Sequence, residues 1–178
     1  SRYDKFKEGI IENAFNPEFS NGALMDIGVY CVHPLVRLFG MPKKIIADSL
    51  LLSNGVEGAG TILASYDGMQ AELLYSKITN NRLPSQIQGE DGTLVIDNIT
   101  NICSVVFHDR KGNAETVIEL PPEHSLEGEV KDWLRMIATG EGVREDNECS
   151  LMELRVMDEA RRQAGIVFPA DLRKITGC

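Results

Sequence analysis

The hydrophobic positions change rhythm twice along the chain. From Ser20 to Gly40, SNGALMDIGVYCVHPLVRLFG, apolar residues crowd every turn: Leu24, Met25, Ile27, Val29, Val32, Leu35, Val36, Leu38 and Phe39. A helix apolar almost all round is a buried helix. Asn21 or Ser20 is placed to cap its start, and Gly40 followed by Pro42 to stop it. From Lys44 to Leu120 the pattern becomes short runs of Val, Ile, Leu, Thr and Tyr broken by Gly and Asn. These runs predict strands at about 45–53, 61–66, 70–78, 85–88, 93–97, 102–108 and 115–120. Tyr66-Asp67-Gly68-Met69 predicts a hairpin with a type I′ turn, and 109–113 a second turn. Tight turns without long helices between strands imply antiparallel pairing. Upstream, 5–13 predicts a short helix and Asn16-Pro17 a turn.

Two helices are expected after the strands. Ser125 is placed to cap the first, which carries Val130, Trp133, Leu134 and Ile137 on one face. The second opens on the capping-box spacing Ser150-x-x-Glu153, repeats Leu151, Leu154, Met157, Ala160 and Ala164, and ends at Gly165. Helix, then strands, then helices is an α+β order. The expectation is one α+β domain over 1–178, a mainly antiparallel sheet with helices packed on one face and the other face left open.

The central helix carries one irregularity. Asp26, Tyr30, His33 and Arg37 recur at i, i+4, i+7 and i+11, which aligns them along a single face. Burying an unpaired carboxylate is expensive, so such a seam needs partners or a purpose. Taken singly, Asp26 can be a satisfied buried acid, Tyr30 a core aromatic and His33 a core histidine. Four in line fit that explanation less well. Gly28 inside the helix costs about 1 kcal/mol relative to Ala and lets something approach the backbone closely. Chemically, the seam suits proton exchange with a carbonyl or alcohol oxygen. No lysine stands beside Tyr30 on the helix to assist it.

Composition narrows the function classes. The chain has 178 residues, 43% hydrophobic and 25% charged, with a net charge of -9. That balance, without a basic cluster, argues against nucleic acid and anionic membrane surfaces. No apolar run approaches the roughly 20 residues of a membrane span. The opening residues SRYDKFKEG are charged, unlike a signal peptide, and Ser in place of Met suggests a fragment or a trimmed start. Cys31, Cys103, Cys149 and Cys178 form no CxxC pair, so no metal site is expected and a reducing, cytoplasmic location is. Gly58-Ala59-Gly60 begins like a dinucleotide loop, but Leu63 stands at the third glycine's place. No cofactor-binding residue is therefore assigned in this chain.

PEFSNGALMDIGVYCVH resembles the signature of the Gfo/Idh/MocA oxidoreductase family through Gly22, Leu24, Asp26, Gly28 and Tyr30. QGEDGTLVID, from Gln88 to Asp97, resembles the family's G-x-x-G-x-L segment, and IVFPAD, from Ile166, its end. The resemblance covers essentially the whole chain. It implies the second of two domains: an N-terminal Rossmann domain, absent from this chain, would bind NAD or NADP, and this α+β domain with its large open-faced sheet would supply substrate contacts and a homo-oligomer interface. It places Tyr30 where relatives carry the general acid/base and Asp26 where a relative carries a substrate-binding acid. His33 and Arg37 follow as further substrate contacts. The implied activity is hydride transfer between nicotinamide and a sugar, polyol or related alcohol or carbonyl. The isolated domain is expected to be inactive. The rival is a non-catalytic assembly or ligand-sensing domain that uses its sheet as a dimer interface.

Overall fold

The structure, a computed structural model, describes residues 1–121 and 126–172. The expected Ser125 cap, His124 and Cys178 lie outside the described residues. The chain divides into two compact units, Ser1–Asn80 with Asn147–Cys178, and Asn81–Asp146. All sheet pairing is antiparallel and helices accompany the strands, as the α+β reading expects.

In the first unit, α1 spans Arg2–Lys7 rather than 5–13. The chain turns at Gly9, whose φ of 84° lies in the left-handed region that glycine tolerates. A π turn, Leu24–Gly28, leads into α2, Val29–Phe39. Then β1 (Lys44–Leu51), β2 (Glu57–Ser65) and β3 (Gln70–Ser76) form a three-stranded meander in that order. The 67–68 hairpin forms, but only Gly68 takes a positive φ. A type I′ turn needs two, so that expectation fails.

One face of this sheet, with Ile45, Ala47, Ile62, Ala64 and Tyr75, packs into a core with Leu24, Val32, Leu35 and Val36. α4, Val143–Ala164, adds Cys149, Val156, Met157 and Ala160 to that core. Full burial of each such aliphatic contributes about 1.5–3 kcal/mol. Ser150 does not open α4, which starts seven residues earlier, so Glu153 is not a capping-box acid. Gln163 on α4 pairs with the edge strand β1 as a further strand would. Its Oε1 accepts from Ala47 N–H at 2.9 Å and its Nε2 donates to Ile45 C=O at 3.1 Å. A short α5, Pro169–Leu172, ends the described chain.

In the second unit, β4 (Ser85–Gln88), β5 (Gly92–Ile96), β6 (Ser104–Asp109) and β7 (Ala114–Glu119) pair in chain order. Gly92 is dictated by close approach: a Cβ there would lie 2.3 Å from His108 C=O. The helix α3, Glu127–Thr139, carries Val130, Trp133, Leu134 and Ile137, all exposed.

Candidate functional site

The central helix is not buried all round. Leu24, Gly28, Val32, Leu35 and Val36 face the core, while Tyr30, His33, Arg37, Leu38 and Phe39 are exposed. One stripe suffices to bury the helix against the sheet and α4, and the polar seam lies on the opposite side.

Its start is set by two residues far apart in sequence. Neither Ser20 nor Asn21 caps it. The Leu24 N–H instead donates to Oε1 of Glu57, a fully buried strand residue, at 3.1 Å. The cap therefore comes from β2, and Gly22 makes room for it: a Cβ on Gly22 would lie 1.9 Å from Glu57 Oε1. Oε2 of Glu57 is buried without a partner. Burial pushes this carboxyl above its ordinary range; the Leu24 hydrogen bond and the charges of Lys77 and Arg161 oppose that without cancelling it.

A raised folded-state pKa on an acid makes stability decline as pH rises through it. The cost is absent below about pH 4, where the carboxyl is protonated folded or unfolded. Glu57→Gln should remove that dependence. Thermal melts from pH 4 to 8 should show wild type losing ground to the variant as pH rises; parallel curves would refute the assignment.

The π turn comes next. The Val29 N–H reaches Leu24 C=O five residues back, a geometry frequent at functional sites. Gly28 lets the Tyr75 ring close on the turn, with ring carbons 3.2 and 3.3 Å from where a Cβ would sit. The close approach read from Gly28 is thus made by Tyr75.

Asp26, on this turn, is paired with Lys77: Nζ lies 2.8 Å from Asp26 Oδ2. Lys77 also donates to Ala14 C=O at 2.7 Å and Asn21 C=O at 2.8 Å. The cation that meets Asp26 thus comes from just past the end of β3, and it pairs with Asp26 rather than with Tyr30. Its signal was present as strand parity, since Ala71, Leu73 and Tyr75 point inward and Lys77 continues their alternation. Asp26 also borders a polar groove of about 590 Å³, with Arg2, Lys5, Glu12, Asn13 and Asn21.

Tyr30 is 48% exposed, and among the described residues its hydroxyl has no hydrogen-bond partner. His33 Nδ1 lies 2.8 Å from Glu153 Oε2 on α4. Arg37 is exposed in the last turn of α2. The structure therefore joins Asp26 to Lys77 and His33 to Glu153, and leaves Tyr30 open to whatever meets this face. Among the described residues no group of three or more His, Cys, Asp or Glu could hold a metal ion, and no helix is long and apolar enough to cross a membrane.

Known proteins resemble this chain in sequence and in fold. The GFO/IDH/MocA C-terminal domain matches residues 2–95. The chain is 47% identical over 173 residues to scyllo-inositol 2-dehydrogenase (NADP(+)) IolU of Bacillus subtilis, covering 96% of this chain and 53% of that protein. It is 34% identical over 175 residues to the uncharacterized oxidoreductase YgjR of Escherichia coli, covering 98% and 53%. The chain thus spans about half the length of the curated relatives it matches. Among solved structures, aldose-aldose oxidoreductase from Caulobacter crescentus, complexed with glycerol, shares the fold with a TM-score of 0.67 at 20% identity, over 87% of this chain and 50% of that one.

Proposed function

This chain belongs to the GFO/IDH/MocA family, and from that premise we propose that it is the substrate-facing half of a longer NAD(P)-dependent oxidoreductase acting on CH–OH groups of a sugar, polyol or related compound. The observation that carries the reading is the exposed helix face, on which a paired Asp26 sits one turn from the unpartnered hydroxyl of Tyr30. The nicotinamide would be held mainly by the part of the longer protein that this half-length chain does not span. When bound, it exchanges the hydride with the substrate carbon. The residues of this chain do the rest. Tyr30 exchanges the proton at the substrate oxygen. Asp26 accepts a hydrogen bond from a substrate hydroxyl, and His33 and Arg37 contact the substrate further along the same face. The nicotinamide would be NADP or NAD, and the NADP(+) in the names of two relatives favours NADP. The cysteine pattern supports a reducing, cytoplasmic setting.

Fluorescence titration of NADPH and NADH into the full-length protein, followed by turnover of scyllo-inositol, tests this. Saturable binding and turnover support the oxidoreductase. Absence of binding by either nucleotide would sink it and favour an assembly or ligand-sensing module.

The outer face of the first sheet supports self-association in the same protein. Ile46, Leu50 and Leu74 are exposed there, Leu74 at 72%. They share that face with exposed Asp48, Thr61 and Glu72, a mixed apolar and polar surface of the kind that protein interfaces use. Leu74→Arg should shift sedimentation equilibrium from dimer toward monomer, weakening association at least tenfold. A wild type that is monomeric at high concentration would exclude this interface.

A further inference from the structure

We infer that Lys77 is a positioning residue: it holds Asp26 and the 13–21 segment in the geometry that receives a substrate hydroxyl. The inference rests on the proposed oxidoreductase reading and goes beyond it to a residue outside the helix motif.

Lys77 is only 5% exposed in its side chain. An ammonium has three N–H donors and no acceptor. Two are donated, at 2.7 Å to Ala14 C=O and 2.8 Å to Asn21 C=O, and the ammonium forms an ion pair with Asp26, Nζ lying 2.8 Å from Oδ2. The Phe15 ring closes over the nitrogen, with its centroid 5.6 Å away. With its side chain covered and its charge paired, Lys77 is closed to a ligand. It acts through what it holds.

What it holds is specific. Ala14 and Asn21 stand near the two ends of a segment built from two 3₁₀ turns, Asn13–Phe15 and Pro17–Phe19. One nitrogen therefore ties both ends of that segment to the π turn. The same segment contributes Asn13 and Asn21 to the groove that Asp26 borders. Two carbonyls alone would be satisfied by neutral donors. The third partner requires a cation, and it is the carboxylate at the candidate site. Asp26 is 40% exposed in its side chain. With Oδ2 held by Lys77, Oδ1 has no hydrogen-bond partner among the described residues and is left as an acceptor. An acceptor fixed in direction recognises a hydroxyl donor. Freed from Lys77, the carboxylate would rotate and the groove wall would loosen.

The test uses the full-length protein with NADP and scyllo-inositol, in wild type, Lys77→Met, Asp26→Asn and the double variant. If Lys77 acts through Asp26, Lys77→Met raises KM at least tenfold with kcat changed less than about threefold. The double variant should then match Asp26→Asn within about threefold, because effects through one group do not multiply. Unchanged KM, or losses that multiply, would overturn the inference and leave Lys77 a purely structural tie. Should Lys77→Met fail to fold, Lys77→Arg carries the test. Its planar fork keeps the charge but cannot aim one nitrogen at three acceptors, and KM should still rise severalfold; no change would overturn the inference. Hydrogen exchange on the same proteins reads the tie without turnover, with residues 13–21 and 24–28 expected to exchange at least tenfold faster in Lys77→Met. Faster exchange with an inactive wild type would sink the polyol reading and keep the tie. Unchanged exchange would sink the tie whatever the activity.

Discussion

Tyr30→Phe in the full-length protein is expected to lower kcat by about 10²–10⁴, the ordinary contribution of a positioned general acid or base. That range corresponds to about 3–5 kcal/mol of transition-state stabilisation. The loss should be chemical rather than structural. Tyr30 is about half exposed, and its hydroxyl supports no other group among the described residues. Removing it leaves no buried donor or acceptor unpaired, so melting temperature should barely move. KM should also change little, because a group that exchanges a proton in the transition state does not hold the ground state. Steady-state kinetics with scyllo-inositol decides the matter. A variant with wild-type kcat would remove Tyr30 from the chemistry and shift attention to the His33–Glu153 pair.

Gly22→Ala is expected to cost about 2–6 kcal/mol of stability, the sum of overpacking a closed core and stranding a buried polar group. Gly22 needs no unusual backbone angle; its requirement is space. The added Cβ would fall 1.9–2.0 Å from three atoms of the Glu57 carboxyl group. A carboxylate at the end of a free side chain would simply swing aside. Glu57 is fully buried, so moving it abandons the Leu24 N–H it caps and pushes a carboxyl into apolar surroundings. Urea unfolding measures the cost. Glu57→Ala should relieve most of it, making the double variant far less unstable than the sum of the two singles. A Gly22→Ala protein within 1 kcal/mol of wild type would show that this junction is looser than the structure depicts.

These contrasts also show what a sequence can disclose. The strands and central helix were legible because their apolar spacing is local, repeating every two or every three to four residues. Asp26, Tyr30 and Gly28 could be singled out as candidates because they share one helical signature. Their partners were not. Lys77 lies 51 residues beyond Asp26 and Glu153 lies 120 beyond His33. No pattern within a helix names a counter-ion on another element. Strand parity could have flagged Lys77 as inward-facing, but not which acid it meets. Glu57 was invisible for the same reason, since Gly22, which makes room for it, stood only as a member of the helix signature. The central helix looked buried on every side because its composition could not tell a core stripe from an exposed apolar end at Leu38 and Phe39. The turn at 67–68 was expected from a dipeptide preference, which selects hairpins more reliably than it selects their dihedral angles.

Gln163 has a consequence for how the chain survives its own synthesis. An edge strand with free N–H and C=O groups is a template on which other chains can stack. The amide of Gln163 occupies Ala47 N–H and Ile45 C=O on β1. It lies more than a hundred residues after the strand it shields, so the hairpins can form well before their guard arrives. Until α4 docks, nascent chains carry an open, sticky border. At high expression, Gln163→Ala protein should yield more inclusion bodies, even where the folded fraction retains wild-type stability.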